Sequence, residues 1–253
     1  MEYRKVKVEK SDRVAWIKIA NPPVNVLDME TMREMIDAIE SVEENVDVVV
    51  ISGEGKSFSA GAEIKEHFPD KAPEMIRWFT RLIEKILRCK AVTVAAVKGF
   101  ALGGGFEVAI ACDFVLASGK AKLGVPEITL AHFPPVAIVL LPRMIGWKNA
   151  YEIILTGEAV DAEKAYSIGL VNRVFDEENF EEEVNKFVSS LLEKSSVALK
   201  LTKKALLFST QQEYLSLFDV VNDVYLSQLV KSEDAVEGLK AFLEKRKPEW
   251  KGK

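Results

Sequence analysis

The sequence predicts an α/β fold in which buried strands alternate with amphipathic helices before the chain turns almost wholly helical. Three observations carry this. The runs 46–52 (VDVVVIS) and 92–97 (VTVAAV) are nearly continuous apolar stretches of strand length, as expected of strands covered on both faces. Apolar residues at helical spacing follow or precede each of them. Beyond about Glu177 only the helical period is left. Strand, helix, strand, helix, strand in this order argues for layered strands joined by right-handed crossovers.

The elements follow in chain order. Residues 3–8 and 14–20 alternate charged and apolar side chains, with Ser11-Asp12 as the turn of a β-hairpin. Asn21-Pro22-Pro23 breaks the pattern. Asp28 is the expected N-cap of a helix that turns Met32, Met35, Ile36, Ile39 and Val42 to one side and ends near Asn45. The strand 46–52 is closed by Gly53-Glu54-Gly55-Lys56. A second helix, 73–88, points Ile76, Phe79, Ile83, Ile86 and Leu87 inward. After the strand 92–97, Gly103-Gly104-Gly105 opens a helical stretch, and 113–117 is a third strand. Helices are expected at 180–192, 197–208, 213–230 and 235–245. A soft boundary near 177 therefore separates a core, 1–177, from a helical part, 178–253, that packs back on the core or on a neighbouring subunit.

A chain of 253 residues, 48% hydrophobic, has material for a sizeable core. Its formal net charge of -5 gives no general attraction to nucleic acid or to an anionic membrane, so neither is an expected partner. The apolar stretch 91–112 is broken by Lys98, Glu107 and glycines, which makes a poor membrane span. The N-terminus lacks the apolar centre of a signal peptide, and cytoplasmic residence is the expectation. Cys89 and Cys112 stand apart and read as buried free thiols. With only His67 and His132 to add, no metal site is expected.

Three stretches carry chemistry. Phe58-Ser59-Ala60-Gly61-Ala62-Glu63-Ile64 follows a strand with small residues, which let a backbone approach a ligand and leave N–H groups free. Lys98 to Glu107 (KGFALGGGFE) places three glycines at a strand-to-helix turn, where exposed N–H groups suit a developing oxyanion. It lacks the GK[ST] ending of a phosphate loop and the spacing of a dinucleotide fingerprint. Glu107 then sits in an otherwise apolar helix, where an unpaired carboxylate is costly. In Leu123-Gly124-Val125-Pro126-Glu127-Ile128 a second glutamate lies between apolar neighbours. Two such glutamates beside a glycine-built oxyanion site point to acid–base chemistry.

FSAGAEI, GFALGGGFEVAIACDFVLAS and LGVPEI, in this order and spacing, resemble the signature segments of the crotonase (enoyl-CoA hydratase/isomerase) superfamily. So do LTGEAVDA and AYSIGLVN further on. The resemblance covers essentially the whole chain. It implies a spiral of ββα units with a helical C-terminal subdomain for oligomerisation, a homotrimer or a dimer of trimers, and an acyl-CoA thioester substrate. It implies no cofactor beyond the coenzyme A of the substrate. By the same resemblance, the N–H groups of Ala62 and Gly104 form an oxyanion hole. Ala60, Gly61, Glu63, Ile64 and Gly103 border the CoA and substrate, and basic residues near the C-terminus help with phosphates. Glu107 and Glu127 match both carboxylates of the hydratases, Glu107 to activate water and Glu127 to deliver a proton to the α-carbon. Isomerases and other enolate-forming members often lack one of the two, so a hydratase is expected over an isomerase.

After PEI the common hydratase pattern runs into a glycine-rich stretch. Here it reads Thr129 to Pro142 (TLAHFPPVAIVLLP), with Pro135 and bulky aliphatics instead, so the acyl pocket should have a different wall. Phe133-Pro134-Pro135, with Pro22 to Asp28 earlier, is similar to cyclohexa-1,5-diene-1-carbonyl-CoA hydratases. His132 either faces that pocket or is a satisfied structural histidine. The basic tail 245–251 leaves a non-enzymatic, RNA-binding or structural homologue as the reading from another class. Glu181, Glu182, Glu183, Lys203 and Lys204 are expected on solvated helix faces, and Phe218, Tyr225 and Phe242 in helix packing or subunit contacts.

Overall fold

The computed structural model describes residues 3–210 and 212–253, with the side chains of 210–215 left out. β1 (Val6–Ser11) and β2 (Val14–Ile19) form the expected hairpin. Ser11 pairs with Val14, so the reversal falls on Asp12-Arg13, one residue later than the sequence suggests. Asp12 takes φ 47°, a left-handed conformation that aspartate tolerates better than most residues. Asp28 caps α1 (Met29–Val42) by accepting the Thr31 N–H.

β3 (Val48–Gly53) runs parallel to β2, and α2 (Ala72–Leu87) leads to β4 (Val92–Val97), parallel to β3. Next come a short β5 (Phe100–Leu102), α3 (Gly104–Ile110) and β6 (Phe114–Ser118). β7 (Lys122–Gly124) precedes a 3₁₀ turn, Pro126–Leu130. Then follow α4 (Pro135–Met144), α5 (Gly146–Thr156), β8 (Val160–Asp161), α6 (Ala162–Ser167) and β9 (Arg173–Phe175). The strands build a six-stranded sheet, β1-β2-β3-β4-β6-β9, and a smaller one, β5-β7-β8.

The period of two along the large sheet divides the core. Ala15, Ile17, Val49, Ile51, Ala95 and Val97 face the main cluster with Met32, Met35 and Phe79 of α1 and α2. Val48, Val50, Val92, Val94 and Leu116 face the other way, where Phe180, Val184 and Val188 cover them. Residues 48–51 are fully buried, which is why the sequence of β3 shows no polar alternation.

The helical end comprises α7 (Phe180–Leu192), α8 (Ser196–Thr210), α9 (Gln212–Ser227) and α10 (Glu233–Leu243). Lys203 corrects the expectation of a solvated face. It is buried against the sheet, its ammonium 2.6 Å from the Asp113 carboxylate and donating to Ala91 O at 2.8 Å. Glu181, Glu182 and Lys204 are exposed as expected. α10 packs so tightly on the 3₁₀ turn that a Cβ on Gly238 would lie 2.1 Å from Leu130 O. α4 was not legible because its start reads as a breaker. Pro135 stands in the first helical turn, where a missing N–H costs nothing.

Candidate active site

Two loops meet at the C-terminal ends of the central strands. In the first, Ser59 is buried, its hydroxyl donating to Asn25 O at 2.7 Å and accepting the Gly61 N–H at 3.1 Å. Ser59 also exchanges backbone hydrogen bonds with β5, through Phe100 O and the Leu102 N–H. These bonds press the loop against the glycine triplet. A Cβ on Gly105 would sit 2.6 Å from the Ser59 Cβ, and one on Gly104 would sit 3.3 Å from Ala62 N. Close approach therefore demands glycine at 105 and leaves a side chain at 104 little room.

The result is a pair of adjacent N–H groups, from Ala62 and from Gly104 at the first position of α3. Among the described residues neither donates to a backbone acceptor. Unpaired donors side by side at a helix start are what a developing oxyanion requires.

Glu107 lies on α3 within the same wall, only 2% exposed. Its Oε1 accepts the N–H groups of Val136 (2.8 Å) and Ala137 (2.9 Å), the first free donors of α4. The carboxylate that looked unpaired in sequence thus caps a helix. Burial pushes its pKa up to about 7, while the Ala137 and Val136 donors hold it down against that push. Glu127, on the 3₁₀ turn, receives no donor from α4 and only its own backbone N–H, and its Oε2 is buried without a partner. Burial and then the Glu107 charge raise its pKa well above the usual carboxylate range. Glu107 is therefore the first of the pair to ionise, and above about 7 it gives up its proton while Glu127 keeps its own.

These groups border one small cavity of ≈ 80 Å³. Of the residues the sequence singled out, Ala60, Gly61, Ala62, Ile64, Gly103 and Gly104 line it, as do Glu107, Glu127, Phe133 and Pro135. Glu63 and Pro134 are not in its wall. Glu63 instead caps a 3₁₀ turn by accepting the Lys65 N–H, and Pro134 precedes α4. The structure adds His67, Met75 and Phe79 from the α2 side, and Tyr225 and Leu239 from the helical end. Tyr225 carries no sequence signal, since it shares the helical spacing of the core residue Phe218. A larger cleft of ≈ 380 Å³ lies over the outer face of the large sheet. Its Lys7, Lys18 and Lys98 pair with Glu54, Glu9 and Glu181, which leaves that cleft without uncompensated cations. In the tail, Arg246 pairs with Glu237 and Glu244.

The family model for enoyl-CoA hydratase/isomerase matches residues 9–253. The chain belongs to this enoyl-CoA hydratase/isomerase family. It is 36% identical to the crotonyl-CoA hydratase of Syntrophomonas wolfei over 98% of both chains. It is 32% identical to the cyclohexa-1,5-dienecarbonyl-CoA hydratase of Thauera aromatica over 98% of this chain and 97% of the other. A crystal structure of an enoyl-CoA hydratase from Mycobacterium avium subsp. paratuberculosis superposes with a TM-score of 0.89 at 33% identity, covering 98% and 99% of the two chains. The architecture is accordingly the crotonase fold. Among the described residues of this enoyl-CoA hydratase/isomerase chain, no group of His, Cys, Asp and Glu is placed to hold a metal ion. No helix among them is long and apolar enough to cross a membrane.

Proposed function

We propose that the protein is a hydro-lyase that adds water reversibly to the double bond of an α,β-unsaturated acyl-CoA thioester. The observation that carries this is the unequal pair Glu107 and Glu127, sharing one cavity with the free N–H groups of Ala62 and Gly104. Ionised Glu107 takes a proton from water as the water oxygen bonds to the β-carbon. The π electrons move through the α-carbon onto the thioester oxygen, which the two N–H groups stabilise as an enolate. The enolate collapses by taking the Glu127 proton at its α-carbon. Glu107 then carries the water proton, and exchange with Glu127 or solvent resets the pair. Coenzyme A enters as part of the substrate, and no further cofactor is invoked.

Phe133, Pro135 and Tyr225 suit a compact acyl group, linear or cyclic. The exposed apolar side chains Trp147, Tyr151 and Leu155 on α5, and Val197, Leu201 and Phe208 on α8, support assembly as a homotrimer or a dimer of trimers. On the proposed division, residues 1–177 carry catalysis and 178–253 serve assembly, with Tyr225 and Leu239 lending the second part a share of the acyl pocket. Cytoplasmic residence belongs to the same reading. The test is a spectrophotometric hydration assay over linear 2-enoyl-CoA and cyclic dienoyl-CoA thioesters, with and without EDTA. Loss of the enoyl absorbance, unchanged by the chelator, is expected. Double-bond migration without water uptake would replace the hydratase by an isomerase.

A further inference from the structure

His132 is buried, yet half of its hydrogen-bonding capacity is unused. Its Nδ1–H donates to Leu130 O at 2.8 Å, which leaves Nε2 as the acceptor of a neutral ring. That Nε2 is closed to solvent and has no partner. The residue borders the acyl cavity and belongs to the same turn as Glu127, whose carbonyl accepts the His132 N–H at 3.0 Å. Its ring meets His67 and Tyr225 at centroid distances of 5.8 Å each, neither of them a hydrogen bond to Nε2.

His67 repeats the pattern. Its Nδ1–H donates to Glu63 O at 2.9 Å, and its Nε2 is again the acceptor edge. Burial, reinforced by the neighbouring His132, lowers its pKa to about 4, and burial lowers that of His132 as well, which favours the neutral form of both rings. Two imidazoles thus border the cavity together with Met75, Phe79 and Phe133. A buried acceptor left unpaired is costly, and a ligand that pairs it recovers that cost. An ammonium would bring an unpaired charge into this apolar wall, whereas a hydroxyl brings only a donor.

We infer that His132 selects acyl groups that carry a hydroxyl beyond the β-carbon, through a hydrogen bond from that hydroxyl to Nε2. This inference rests on the hydratase reading and narrows its substrate class. A site built to pair a polar group rejects the analogue that lacks it far more strongly than an apolar pocket rejects a methylene.

The test compares kcat/KM for 4-hydroxybut-2-enoyl-CoA with but-2-enoyl-CoA, and for 5-hydroxypent-2-enoyl-CoA with pent-2-enoyl-CoA. Wild type should favour one hydroxylated member by about 100-fold or more. His132→Phe should bring that ratio to near one, and His132→Gln, which keeps an acceptor, should restore part of it. A wild-type ratio near one in both pairs, or a ratio kept by His132→Phe, overturns the inference and leaves the hydratase standing. Calorimetric titration of wild type with the saturated thioesters, 4-hydroxybutyryl-CoA and butyryl-CoA, reads the same preference without turnover or a variant. Equal affinities there, and equally between 5-hydroxypentanoyl-CoA and pentanoyl-CoA, overturn the inference. Absence of hydration on every thioester would instead overturn the hydratase reading, with the calorimetry still deciding the role of His132.

Discussion

The Glu127 carboxyl occupies the space where a side chain on Gly103 would begin: a Cβ there would lie 2.7 Å from Oε1. Gly103 also holds φ 51° and ψ -130°, a conformation open to glycine and strained for other residues. Gly103→Ala should therefore displace the proton donor. An activity loss of about 100-fold is expected, the usual cost of a misplaced catalytic group, with a stability loss of about 1–3 kcal/mol from backbone strain. Hydration kinetics beside thermal unfolding check both effects, and unchanged kcat would detach Glu127 from catalysis.

Glu107→Gln and Glu127→Gln each keep shape and remove a proton-transfer group. Each should lower kcat by about 100-fold or more. The glutamine carbonyl at position 107 can still accept the Val136 and Ala137 N–H groups, so α4 should keep its cap and the variant its fold. Full activity in either variant refutes the two-carboxylate mechanism.

The pH profile of kcat/KM should be bell-shaped. Below about 7 Glu107 takes up a proton and can no longer activate water, so the acid limb falls there. At higher pH Glu127 loses the proton it must deliver, which sets the alkaline limb. Initial rates between pH 5 and 10 read both limbs, and a flat acid side would contradict the assignment of Glu107.

Stability carries the opposite signature. Both carboxyls have folded pKa values above the unfolded 4.5, so the folded state holds protons that the unfolded state has already lost. Their stabilising contribution is full below 4.5 and disappears as pH rises through the folded values. The double variant Glu107→Gln/Glu127→Gln lacks this decline. Its melting temperature should gain on wild type between pH 5 and 8, and a constant difference in calorimetry would show the carboxyls to be solvated.

Lys203→Met should cost about 2 kcal/mol, the scale of a hydrogen bond to a charged group, because it removes a tie from α8 to Asp113 and Ala91. Gly238→Ala should cost about 1–3 kcal/mol through overpacking against Leu130 O. It should also raise KM, since neighbouring Leu239 borders the acyl cavity. Chemical unfolding and steady-state kinetics separate the two, as Lys203→Met should leave KM unchanged.

Much of this was legible because the signals are local. β4 and α7 have the bounds their periodicity suggested, and the Asp28 cap was readable from one polar residue ahead of an apolar helical face. The region from Pro126 to Thr156 was not readable. α4 begins at a proline and is apolar on most sides, so neither a cap nor a polar face marks it, and α5 begins at a glycine with no capping side chain ahead of it. Lys203 was misplaced for a related reason: a lysine beside Lys204 looks solvated until Asp113, ninety residues earlier, is brought to meet it.

The sequence by itself determined the family, the strand–helix alternation and the pair of glutamates beside a glycine triplet, because these depend on residue type and spacing along the chain. The resemblance already assigned the proton to Glu127, and the tertiary structure supplies a physical reason for that assignment. The start of α4 lends two N–H groups to Glu107 and none to Glu127. Only the tertiary structure brought His132 and Tyr225 to the acyl cavity, from segments nearly a hundred residues apart. Burial and the direction of a lone pair are properties of packed neighbours, and no spacing along the chain encodes them.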